Sequence, residues 1–240
     1  MSYRHEWKYL INAPDAALLA MRVRPLMARD KNAGPRGEYH VRSLYFDDCW
    51  QSAYWEKEAG ILNRRKYRIR LYNCSDGLIR LERKRKHDRY IEKECALLSR
   101  GDVERLLEGD YGFLLKSGQN LLREFYFECT SRLLRPRVIV DYERECYAED
   151  DVRIALDRHV RAGFGAFSLF DRALPACEAL PADEVILEVK FADRLPGVLR
   201  SLLPPGSREL VAASKYTLCC DVAAREHAND RMEGVQWKAR

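Results

Sequence analysis

Histidine is scarce in this sequence, and cysteine is plentiful but badly placed for chemistry. The five histidines (His5, His40, His87, His159 and His227) are scattered and suggest neither a catalytic triad nor a metal triangle. The eight cysteines include no Cys-x-x-Cys and no Cys/His cluster with zinc spacing. They read as reduced, mostly buried small hydrophobes, with the vicinal pair Cys219-Cys220 as the one redox candidate. No apolar signal region opens the chain and no apolar run reaches about 18 residues, so a soluble, cytoplasmic protein is expected. Repeats, low-complexity tracts and linkers are absent too. Residues 1–221 are therefore expected to form one domain, followed by a polar tail, 222–240, that frays. The net charge is only +5, with 42 basic against 37 acidic residues, and so does not by itself argue for nucleic acid.

Charge as such is abundant: Asp, Glu, Lys and Arg make up 33% of residues, and much of that charge lies inside strand-like runs. Tyr67-Arg68-Ile69-Arg70-Leu71-Tyr72 places Lys66, Arg68 and Arg70 on one face and Tyr67, Ile69 and Leu71 on the other. Asn73 to Gly77 has turn composition, and the next run puts Arg80, Glu82, Lys84 and Lys86 on a single face. About eight strands repeat this division. Their charged faces carry Glu6 and Lys8; Arg42; Arg68 and Arg70; Glu82 and Lys84; Arg144; Arg153; Glu188 and Lys190; and Lys215. Between them, a helix is expected after Asn12 and interrupted near Pro25, a short one over 50–60, a third capped by Ser99, and apolar helical spacing over 112–134. Ser214 to Leu218 reads as a last short strand or turn, and 159–172 is ambiguous.

Two architectures satisfy this pattern. A sandwich would turn the charged faces to water. A closed barrel could turn them inward, with helices on the apolar outside. Solvated strand faces usually favour Thr, Ser, Gln and Lys, whereas here Arg dominates and Glu-x-Lys recurs at 6–8, 82–84 and 188–190. Arginine forks suit phosphate oxygens. A lumen of them needs a polyanion or interleaved carboxylates to be tolerable. The carboxylates Glu6, Glu82 and Glu188 could hold Mg2+ or Mn2+ jointly with phosphates.

The chain resembles the polyphosphate polymerase (VTC) domain, within the wider triphosphate tunnel metalloenzyme, or CYTH-like, group. The resemblance is carried in order by Arg4-His5-Glu6-Trp7-Lys8-Tyr9, Arg42 to Asp47, Tyr67-Arg68-Ile69-Arg70, Leu81-Glu82-Arg83-Lys84, Tyr142-Glu143-Arg144, Arg153 to Asp157, Ile186 to Lys190 and Ser214-Lys215-Tyr216. It implies an α+β fold: an eight-stranded antiparallel β tunnel (a closed barrel) with a charged lumen and helices packed outside. It also implies that Lys8, Arg68, Arg70, Lys84, Arg144 and Lys215 hold nucleotide phosphates and a growing chain. Glu188 matches the metal-binding carboxylate, Tyr142 and Ser214 lie near the phosphates, and Lys93 matches a further lumen lysine. The face assignments add Arg42, Arg153 and Lys190 as phosphate-binding candidates. The activity implied is transfer of the γ-phosphoryl of ATP to inorganic polyphosphate, with Mg2+ or Mn2+ as cofactor. One departure bears on the branch. The triphosphatase and class IV adenylate cyclase branches typically begin Glu-x-Glu-x-Lys, but here Arg4 stands in place of the first Glu. Fewer metal carboxylates and one more cation favour the polymerase branch. The N-terminal regulatory domain and membrane segments of some relatives do not show in this sequence, so coupled export is not expected. The rival readings are a triphosphatase with water as acceptor, a polyphosphate-binding module without turnover, and RNA binding. The last is disfavoured because Tyr67, Tyr72 and Tyr90 are expected opposite the arginines.

Overall fold

The computed structural model describes residues 5–88, 90–163, 167–203 and 213–236, with side chains up to residue 226. Arg4 lies outside the described residues. The alternating runs become strands β1 (His5–Asn12), β2 (Ala28–Arg29), β3 (Glu38–Asp47), β4 (Arg64–Tyr72), β5 (Ser75–His87), β6 (Tyr90–Leu98), β7 (Arg135–Glu149), β8 (Val152–Gly163), β9 (Ala176–Glu178) and β10 (Glu184–Phe191). The helices are α1 (Ala13–Val23), α2 (Ser52–Glu58), α3 (Arg100–Glu108), α4 (Asn120–Ser131), α5 (Gly197–Leu202) and α6 (Lys215–Gln236). None of them, among the described residues, is long and apolar enough to cross a membrane.

All strands join one antiparallel sheet in the order β1-β10-β8-β7-β3-β4-β5-β6, with β2 on β7 and β9 on β8. The expected closed barrel of eight strands is therefore an open path of eight plus two short additions. Among the described residues β1 and β6 are its unpaired ends. Local chemistry accounts for most boundaries. Asn12 caps α1 by accepting from the Asp15 N–H at 2.8 Å. Pro25 disfavours helix at the preceding residue, so α1 ends at Val23, in keeping with the interruption expected near Pro25. The β4–β5 turn is tighter than expected. Only Asn73 and Cys74 form it, at φ 54° and 52°, and Ser75 already pairs with Tyr72. Pro136 is the second residue of β7, beside a register shift, the kind of position where a strand tolerates proline.

The apolar faces of the sheet are covered in two halves. α3, α4 and the 3-10 turn Gly112–Lys116 pack Leu106, Leu114 and Phe125 on Leu44, Ile69, Leu71 and Leu81. α1 and α5 pack Leu19, Val23 and Leu199 on Ile154, Leu156, Leu187 and Val189. The charged face curls inward between them. α6 overturns two expectations at once. Residues 214–218 are not a strand, and the supposed frayed tail is the body of a helix. That helix does not pack outside. Its Tyr216, Cys219, Cys220 and Val222 share a core with Val41, Tyr45, Val140, Tyr142 and Ile186, all on the concave side. Cys219 and Cys220 are accordingly packing residues. Burial pushes the Cys219 thiol well up and Cys220 up to about 11, so neither is poised as a thiolate.

Candidate functional site

Register alone assembles the concave face. Across β3/β4, Tyr45 opposes Arg68 and Ser43 opposes Arg70; across β4/β5, Arg68 opposes Glu82 and Lys66 opposes Lys84; across β5/β6, Lys84 opposes Lys93. On the other wall Arg144 opposes Asp157, Ala155 opposes Glu188, Arg153 opposes Lys190, and β1 adds Lys8 beside Glu188 and Glu6 beside Lys190. Residues from eight strands, together with Lys215 of α6, thus face one concavity.

Side-chain geometry divides the cations into clusters. Arg68 donates to Glu82 Oε2 from Nε at 2.8 Å and from a terminal nitrogen at 2.6 Å, and to the Tyr45 hydroxyl at 2.7 Å. Arg70 donates to Ser43 Oγ at 3.0 Å and the Tyr142 hydroxyl at 3.1 Å. Lys93 meets the other Glu82 oxygen at 2.5 Å. Facing them, Arg144 makes a bidentate pair with Asp157 at 2.6 and 2.7 Å and reaches Glu188 at 3.4 Å. Lys215 meets Asp157 at 2.6 Å, while Ser214 caps α6, its carbonyl accepting from Leu218 at 3.0 Å. Glu6 gathers the lysines, with Lys84 at 3.0 Å, Lys190 at 3.6 Å and Lys8 at 3.9 Å. The Lys84–Glu6 pair links β5 to β1, so a side-chain bridge crosses the gap that backbone pairing leaves open.

The electrostatics follow from burial inside this ring. Glu82 and Asp157 are almost fully buried, at 1% and 0% exposed. Burial opposes their charge, yet Arg68 and Arg70 on Glu82, and Arg144 and Lys215 on Asp157, hold both carboxyls below the ordinary range. Glu188 behaves likewise under Lys190, Lys8 and Arg144. Burial also opposes the charge on Lys8, but Glu188 and Glu6 outweigh it and raise its pKa. Lys84 goes the other way. The bore walls packed about its amine, with Lys8 and Lys190 as neighbouring cations, lower its pKa despite Glu6.

Two candidates stand apart. Arg42 lies on the outer face, where Asp141 accepts from it at 2.9 and 2.7 Å and the carbonyls of Leu169 and Asp171 accept at 3.2 and 2.5 Å. It fastens a loop on the side of the sheet away from the bore. Arg153 has the right face but sits toward one end, engaged by Asp30, the Tyr39 hydroxyl at 3.1 Å and Cys146 Sγ at 3.0 Å. Tyr72, expected opposite the arginines, lies on the concave side, its ring 5.9 Å from that of Tyr39. Asp157, Tyr45 and Ser43 were not among the expected site residues. Each stood in a quoted motif, but neutral or acidic side chains give no signal until register sets them against an arginine.

The three expected metal carboxylates do not come together. Among the described residues no group of three or more His, Cys, Asp or Glu side chains has metal-holding geometry. Glu82 is spent on Arg68 and Lys93. Glu6 and Glu188 do converge, both meeting the Lys190 amine, at 3.6 and 2.5 Å. Two carboxylates beside phosphate oxygens are a sufficient protein share for Mg2+ or Mn2+, so this pair fits such an ion.

The family described as the VTC domain matches residues 3–224. Similar solved structures include a putative adenylate cyclase from Bacillus halodurans, 13% identical, covering 80% of this chain and 82% of that one at a TM-score of 0.52. Another is a putative adenylyl cyclase from Hippeastrum, described as revealing a dominant triphosphatase activity. It is 13% identical and covers 91% of this chain and 95% of that one at a TM-score of 0.56. At this identity the two share the fold. No curated protein matches the sequence.

Proposed function

This chain belongs to the VTC domain family, within the triphosphate tunnel, CYTH-like group, and on that premise we propose that it is a metal-dependent polyphosphate polymerase. The observation that carries the reading is the pair of cation clusters, Arg68 with Arg70 and Arg144 with Lys215, on one concave face. The triphosphate of ATP lies against Arg68, Arg70 and Lys84, while Lys8, Lys190, Tyr142, Ser214 and Lys215 hold the acceptor phosphates. Glu188 and Glu6 would hold Mg2+ or Mn2+, which when bound would neutralise charge on the phosphate oxygens. A terminal oxygen of the acceptor chain attacks the γ-phosphorus in line. The bond from that phosphorus to the β,γ-bridging oxygen breaks, ADP leaves with the bond's electron pair, and the chain is one unit longer. No protein nucleophile is required. Positioning and charge neutralisation suffice for phosphoryl transfer.

The test is to incubate the protein with ATP and Mn2+, with and without a short phosphate primer, and to resolve the products on a gel. A ladder of polymer is expected. Arg70→Ala and Glu188→Gln are expected to keep the fold and abolish the ladder, and polymer made at the unmodified rate by either variant would refute the site assignment. One observation favours a second reading. α6 covers part of the concave face, which suits a short substrate with water as acceptor; that tunnel triphosphatase would yield only phosphate and short species.

A further inference from the structure

A cavity of about 280 Å3 lies apart from these cation clusters, where α2, the start of β4, the end of β5 and the end of α4 meet. Arg64 and Lys66 of β4 and Lys86 of β5 line it, and Arg64 and Lys86 are direct cross-strand partners. Among the described residues none of these three makes an ion pair. Most acids in the lining are occupied. Asp47 accepts from the Ala53 N–H at 2.9 Å, the Tyr54 N–H at 3.2 Å and the Tyr216 hydroxyl. Asp48 accepts from the N–H groups of Trp50 and Ser52 at 3.1 and 2.9 Å. Glu128 pairs with Arg65 at 2.6 Å and Arg132 at 3.7 Å. The remaining acid, Glu56, has its pKa raised by burial; it lies close enough to Arg64 to act on it electrostatically but forms no ion pair with it.

Lys66 is the most exceptional of the three. Its amine rests 4.3 Å from the centre of the Tyr216 ring. Burial, with Arg64 and Lys57 as neighbouring cations, lowers its pKa to about 7. Cations gathered around a cavity without ion pairs of their own repel one another until an anion enters. Guanidinium and ammonium donors at this density match phosphate oxygens. The volume falls just below the roughly 300 Å3 at which small-molecule sites begin, which fits a small anion. Arg70, Arg68, Lys66 and Arg64 also occupy one face of β4, so the cavity ends a row of cations that starts in the bore.

We propose that this cavity is a second phosphate-binding site, in which Arg64, Lys66 and Lys86 hold a short oligophosphate or the phosphates of a nucleotide. Its ligand class rests on the polymerase reading, whereas its existence rests on the cavity and on three cations that form no ion pair among the described residues, Arg64 donating only to the Ile61 carbonyl. The test is calorimetric titration of the full chain with inorganic tripolyphosphate, repeated with ATP to separate the two sources. Wild type is expected to show two classes of site. Lys66→Met combined with Lys86→Ala should lose one class, and Arg70→Ala should lose only the other. Should the double variant fold poorly, Lys86→Ala alone is expected to weaken the cavity class about tenfold, the loss of one charge-assisted contact. A single class of site that Arg70→Ala removes entirely, or an affinity untouched by Lys86→Ala, would overturn the cavity site and leave the polymerase reading standing. Two classes with no polymer from ATP would overturn the polymerase reading alone.

Discussion

Asp157 accepts from Arg144 through both oxygens and also meets Lys215, so one buried carboxylate fastens a strand cation and a helix cation together. Replacing it by Asn leaves two cations crowded where water is excluded. Asp157→Asn is expected to lower stability by about 3 kcal/mol, the usual scale for breaking a buried pair. Tripolyphosphate should restore more stability to this variant than to wild type, because the ligand supplies the missing charge. Urea unfolding with and without the anion checks both, and equal stabilisation of the two proteins would contradict the role given to Asp157. Arg42 marks the limit of reading single residues. It looks like Arg68 or Arg70 in a basic, aromatic motif, yet its neighbours Ser43 and Tyr45 are the ones that face the bore. Alternation says that residue 42 opposes residue 43. It does not say which of the two looks inward until a partner strand fixes the register.

At the scale of elements, α6 does what no strand does: it fills part of the concavity with Tyr216, Cys219, Cys220 and Val222. Removing residues 214–240 would expose the apolar part of Val140, Tyr142 and Ile186 and release Asp157 from Lys215. Such a truncated chain is expected to lose cooperative thermal unfolding and to aggregate, measured by circular dichroism and light scattering; a sharp, reversible transition in it would show that α6 is dispensable. The helix was hard to see in the sequence because its later residues, such as Arg225 and Glu226, read as solvated tail. Its stability comes from burying a few apolar groups against a distant sheet, which local composition does not report. The hairpin β4–β5 was easier, since Asn73 tolerates the left-handed backbone that its turn demands.

For the whole molecule, the sheet path ends at β1 and β6, and the Lys84–Glu6 contact at 3.0 Å reaches across between β5 and β1. The guanidinium–carboxylate pairs deep in the walls are shielded from salt, whereas Lys84, Lys93 and Lys190 remain open to it, at 41%, 43% and 38% side-chain exposure. Salt shortens the screening length from about 10 Å at 0.1 M to about 3 Å at 1 M. Raising salt from about 0.05 to about 0.5 M is therefore expected to weaken tripolyphosphate binding more than about tenfold, with little change in melting temperature. Titrations at the two salt concentrations decide this, and a dissociation constant that moves less than twofold would argue against an electrostatically held polyanion.

The sequence by itself determined that cations and apolar groups take opposite sides of the strands, because a pleated strand alternates its side chains whatever surrounds it. It also determined which types of donor are present, and their fork geometry already pointed to phosphate. Tertiary structure alone decided which side faces inward, that Arg42 serves a loop, that Asp157 belongs with Arg144 and Lys215, and that the last helix enters the concavity. Those outcomes depend on strand register and on long-range burial, and both arise only when segments far apart in the chain meet.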